Sequence, residues 1–111
     1  MATGRLGSEN LAATTYTNLY VCPASTFTVA TVSVVNRSAA TVTIRLALTT
    51  TSAVGNTAPA DNAFLEYDVS LAAKGVLERT GIVLKTGEYI VIRSSATDVN
   101  AVAYGIETTT V

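Results

Sequence analysis

The segment Thr41–Leu48 alternates without a break, with Val42, Ile44, Leu46 and Leu48 on one side and Thr41, Thr43, Arg45 and Ala47 on the other. Period-two alternation of this kind belongs to a half-buried strand, because successive side chains leave a pleated backbone on opposite faces. The same pattern recurs along the chain. It runs through Thr15–Val21, Phe27–Asn36, Phe64–Leu71, Val76–Leu84, Tyr89–Ser94 and Ala101–Thr108, and turn residues separate the runs. Helical spacing is hard to find. Thr, Val and Gly interleave the alanines, and β-branched side chains lose χ1 freedom in a helix while packing well on a sheet.

About seven such runs, spaced by short turns, predict an all-β fold. The expected architecture is a single antiparallel β-sandwich, jelly-roll-like or immunoglobulin-like, whose inner faces pool Val, Ile and Leu. The cysteine pair and tryptophan of true immunoglobulin domains are missing, since the chain has one Cys and no Trp. A length of 111 residues fits one domain. The domain is expected over residues 15–111, and residues 1–14, which lie outside the strand pattern, read as an extended amino-terminal arm. Within the runs, Pro23 stops the first strand, Gly81 suggests a bulge, and Thr49–Asn62 forms the longest loop.

Composition excludes several classes of function. Only 14% of residues are charged, and seven basic residues are scattered among eight acidic ones. Nucleic acid is therefore not an expected partner, because phosphate binding needs clustered cations. Histidine is absent, which removes the commonest general base and metal ligand. No run approaches the ~20 apolar residues of a membrane helix, so no membrane partner is expected. The amino-terminal residues lack the apolar run of a secretory signal, and synthesis in the cytoplasm is expected.

Candidate chemical groups each have a plain structural reading. Cys22, with no histidine to activate it, reads as a small buried hydrophobe. Glu66 and Asp68 fall on one strand face about 7 Å apart and read as ordinary solvent-side carboxylates; with Asp61 they are the one set that suggests a cation. Asn36–Arg37–Ser38 matches a glycosylation sequon, but an Asn at a hairpin corner already has a conformational reason. Tyr16 and Tyr20 share a face and read as core or interface tyrosines. No catalytic residue, metal ligand or cofactor site is assigned, and no enzyme activity is expected.

The order of certain segments carries a family likeness. Gly4–Arg5–Leu6–Gly7 precedes Leu19–Tyr20–Val21–Cys22–Pro23, followed by Val35–Asn36–Arg37–Ser38 and Val42–Thr43–Ile44–Arg45. Leu77–Glu78–Arg79–Thr80–Gly81, Gly87–Glu88–Tyr89–Ile90–Val91 and Val102–Ala103–Tyr104–Gly105–Ile106 complete it. This series resembles small virion structural proteins of tailed bacteriophages, especially those of marine and cyanobacterial hosts. The resemblance implies a capsid decoration, or cement, protein that binds the major capsid protein, often as a homotrimer. A tail or fibre component, serving as an adaptor or as a receptor- or carbohydrate-binding module, is the alternative. Localisation in the virion follows from either. Arg5 and Leu6 in the arm are the expected partner contacts, with Arg37 and the Thr49–Asn62 loop as further candidates.

Overall fold

The computed structural model describes residues 3–110. It contains eight strands: β1 (Thr3–Leu11), β2 (Thr17–Val21), β3 (Thr26–Asn36), β4 (Val42–Thr49), β5 (Phe64–Leu71), β6 (Val76–Leu84), β7 (Tyr89–Ser94) and β8 (Val99–Thr109). One 3-10 turn, Asp61–Ala63, precedes β5. They form two four-stranded sheets, ordered β1-β8-β3-β6 and β2-β7-β4-β5, with every pairing antiparallel. The all-β sandwich expected from alternation is present, with eight strands rather than seven.

The eighth strand comes from the segment read as an arm. Thr3–Leu11 lies antiparallel along β8, from Thr3 opposite Ile106 to Leu11 opposite Val99, and forms one edge of the first sheet. Its alternation is hidden in the sequence because Leu6 is an extra residue, where the register shifts between Arg5 and Gly7. Gly7 also sits against β2, where an added Cβ would lie 2.3 Å from the Leu19 carbonyl oxygen.

The core is the space between the sheets. Val32 and Val34 of β3, Val42, Ile44 and Leu46 of β4, Ile90 and Ile92 of β7, and Val99, Ala101 and Ala103 of β8 are all buried in one cluster. Both sheets contribute their inward alternate positions, so neither can hide its apolar face without the other. Gly105 is required for a different reason. A Cβ there would lie 2.0 Å from the Val29 carbonyl oxygen on neighbouring β3.

At one end of the sandwich a buried polar side chain joins two turns. The Asn36 amide donates to the carbonyls of Ala40 (2.8 Å), Leu71 (3.1 Å) and Ala72 (3.1 Å), while its oxygen accepts from the Ser38 amide and hydroxyl. Asn36 is fully buried, so the sequon match has a structural explanation and the side chain offers no surface for a glycan. The bulge expected at Gly81 is present. The register of β6 against β3 shifts by one residue there, with Gly81 at φ 70°.

Asn36→Ala would take a buried amide donor from three carbonyls and an acceptor from Ser38, and is expected to cost on the order of 2–3 kcal/mol of stability in denaturant titration. Gly105→Ala should cost roughly 1–3 kcal/mol through forced separation of β8 from β3. A change within about 0.5 kcal/mol for either variant would contradict these assignments.

Candidate interaction surface

The outer faces of the two sheets differ in how the chain treats their apolar side chains. On the second sheet, Ala47 of β4 and Val91 of β7 pair across the strands and point outward. The loop after β4 covers them. Tyr16, Ala47, Ala53 and Val91 form a second small buried cluster, with Phe64 and Tyr89 packed against it. Backbone bonds between Tyr16 and Gly55 (2.8 and 3.0 Å) fasten the loop, as does Asn18, whose amide donates to the Ser52 hydroxyl and whose oxygen accepts from the Ala53 amide. The longest loop is thus a lid sealed onto its own sheet.

The rest of that face is polar and internally paired. Arg45 holds Asp68 through two bonds of 2.6 and 3.1 Å, donates to the Tyr16 hydroxyl at 2.8 Å, and lies 4.3 Å from the Tyr67 ring centroid. The guanidinium bond holds the Asp68 carboxyl below its ordinary value. Asp68 and Glu66 do not share a face, contrary to the alternation. An extra residue shifts the register of β5 against β4 between Val69 and Glu66, with Asp68 in a left-handed conformation at φ 51°. Asp68 goes outward to Arg45, whereas Glu66 pairs with Arg79 of β6 at 2.7 Å. β5 and β6 are edge strands of opposite sheets, so this ion pair bridges the two sheets along one side of the sandwich. Among the described residues no group of three or more His, Cys, Asp or Glu side chains gathers, and the cation set suggested by Asp61, Glu66 and Asp68 does not form.

Tyr16 and Tyr20 also part company. A bulge at Leu19 shifts β2 against β7, leaving Tyr16 under the loop. Tyr20 turns inward, where its hydroxyl meets Thr28 at 2.8 Å and Glu107. Burial first, and the Glu107 bond second, push that phenol far above its ordinary range. Cys22 is buried with its Sγ 3.3 Å from both the Thr26 carbonyl and the Thr28 hydroxyl, as a packed small hydrophobe.

The first sheet has no such cover. Its outer face carries a cross-strand row of Val83, Val29 and Ile106, directly opposite one another on β6, β3 and β8. These side chains are 57%, 44% and 55% exposed, Phe27 and Tyr104 extend the patch, and Val76 is exposed separately at the other end of β6. An antiparallel sheet ordinarily has one apolar and one wet face; here the outer side of β3 also carries Phe27, Val29 and Val35, beside Thr31 and Ser33. Charge on this face comes from Arg5 at the β1 edge, Glu78 at the β6 edge, and Arg37, held by Asn100 and Asn10 at one end of the strands. The Tyr104 hydroxyl donates across β3 to Glu78 Oε2 at 3.0 Å, and that bond raises the phenol above its ordinary range.

The expected contact residues fall in three different settings. Arg5 is exposed beside Tyr104 at the rim of the apolar face. Leu6, the bulged residue, packs against the core, so it already has a partner inside the molecule. Arg37 donates to Asn100 (3.1 Å) and Asn10 (3.4 Å), tying the end of β1 to the start of β8. The apolar row itself escaped sequence reading, because alternation does not say which face of β3 is inside.

The Arg45–Asp68 contact gives stability a defined acid dependence. A carboxyl depressed in the folded state stabilises above its unfolded value of 3.8, and that contribution is lost as pH falls through the folded value. Asp68→Asn should therefore melt lower than the wild type at pH 7, with the gap closing below about pH 4. A gap that stays constant from pH 7 to pH 3 would contradict the pairing.

Comparisons with protein families, with curated proteins and with solved structures found no match for this chain. What the molecule does has to be read from its own surface.

Proposed function

We propose that this chain is a virion structural protein of a tailed bacteriophage, a capsid decoration subunit that works by adhesion rather than by catalysis. The exposed Val83–Val29–Ile106 row carries this reading. A contiguous apolar patch on an otherwise hydroxyl-rich surface is the mark of a surface that is covered in use. Low charge on that face supports it, since ions stranded in a contact cost free energy that hydroxyls and alkyl groups do not.

Strand order adds support. Two sheets ordered 1-8-3-6 and 2-7-4-5 have the wiring of a jelly roll, an architecture used by viral capsid and lectin domains. Architecture alone hosts many functions, so the weight stays on the surface. The segment order that resembles phage virion proteins points the same way. On this reading the partner is the major capsid protein, and many copies convert individually weak contacts into durable attachment.

One observation favours a tail or fibre module as the second reading. Tyr67 is 59% exposed on the opposite face, beside Arg45 and Asp68, the kind of ring-and-polar arrangement that stacks against a sugar.

Quantitative mass spectrometry of purified particles separates the two. A copy number comparable to the major capsid protein is expected, and a number matching tail proteins would overturn the decoration reading. Val83→Glu should lower occupancy on particles at least about tenfold while shifting the melting temperature by only about 2–4 °C. Unchanged occupancy would reject the apolar row as the adhesive surface. Glycan binding abolished by Tyr67→Ala would favour the fibre module.

A further inference from the structure

We propose that the apolar outer face of the β1-β8-β3-β6 sheet is covered by a second copy of this chain, about a two-fold axis parallel to the strands between β3 and β8. The inference rests on reading the chain as an adhesive subunit. This face joins two copies, and the pair so formed meets the major capsid protein through its remaining surface, so that particle attachment depends on the face through pairing.

The centre of the face and its charged edges match themselves under that rotation. Turning a copy about such an axis lays its β3 over β8 of the first, and its β6 over β1. Ile106 and Val29 sit directly opposite each other within one sheet. In the pair, each Ile106 therefore faces the partner copy's Val29, giving two apolar contacts at the centre, while each Val83 falls over the partner copy's Thr3 at the rim. The rotation also exchanges the two edges. Arg5 lies level with Tyr104, and Glu78 lies level with Ser33 and so with Val102. The two are two residues apart along the strands, about 7 Å, within the reach of an arginine side chain.

Both groups are open to such a contact. Arg5 makes no hydrogen bond or ion pair among the described residues, and Glu78 uses only Oε2, for Tyr104, leaving Oε1. A cation at one edge and an anion at the other make the face complementary to its own rotated copy. A two-fold across the strands would instead lay β1 on β1, giving Arg5 no anion to meet.

Size agrees with this. Four strands about 4.8 Å apart, each presenting about eight residues at ~3.3 Å, give roughly 500 Å² in projection, and side-chain relief adds to it. Specific interfaces start near 600 Å² per partner. Two sheets packed face to face at about 10 Å would repeat between copies the packing already found inside one. A cyclic trimer joins two different patches, so it would not use the self-matching character of this face.

The test is sedimentation velocity of the full chain over a concentration series, with charge reversals at the two edges. The expected result is a dimer of the 11.5 kDa chain that dissociates on dilution. Arg5→Glu and Glu78→Arg should each raise the dimer dissociation constant at least about tenfold, and the double variant should return it to within about threefold of wild type. Circular dichroism confirms folding of each variant. A monomer at every concentration, a trimer, or a double variant as weak as the singles would overturn the proposal. Particle attachment is scored separately: monomers that still decorate particles would reject only the two-fold pairing, and dimers that ignore particles would reject only the decoration role.

Discussion

Two antiparallel sheets, each apolar on its inward side, can shed that surface from water only by closing on each other, and this mutual burial organises the molecule. β3 shows the constraint most plainly. It pairs with β8 along its whole length and with β6 on its other side, and it sends Val32 and Val34 into the core. Once β3 is fixed, its neighbours must place Ala101, Ala103 and Ile82 on the same side. Opposed positions in a ladder share a face, and a slip of one residue would turn every side chain over.

Register is adjusted where strict alternation would fail. Extra residues at Leu6, Leu19 and Gly81, and again near Asp68, each let one strand turn a side chain without losing its ladder. The bulge near Asp68 has a chemical outcome. It separates two carboxylates, sending one to Arg45 on the outer face and the other to Arg79 between the sheets. The polar groups that do enter the interior are satisfied. Asn36 meets three carbonyls, and Tyr20 meets Thr28 and Glu107. No buried side-chain nitrogen or oxygen among the described residues lacks a partner.

Alternation made most of the strands legible. Thr41–Leu48 read correctly because every second residue is a large aliphatic, and Val42, Ile44 and Leu46 are indeed buried. β1 was not legible, because Gly4, Gly7, Ser8 and Asn10 give it no apolar stripe, and its extended form is imposed by β8 rather than by local preference. The faces of β5 were misread because a bulge leaves no trace in a sequence that lacks Gly or Pro there. For the interaction surface, Val29 and Phe27 were visible as apolar residues. That their face is the outer one depends on which side meets the second sheet, a long-range choice no local pattern records.

The contrast between the two outer faces is the centre of the functional account: one is sealed by the chain's own loop, and the other is left for a partner. Hydroxyl-radical footprinting tests this most directly, by comparing side-chain oxidation in the dilute chain with that in the assembled particle. The account predicts strong protection of Phe27, Val29, Val83 and Ile106 on assembly, with Tyr16 shielded equally in both states. Equal oxidation of the four apolar side chains, free and assembled, would contradict it.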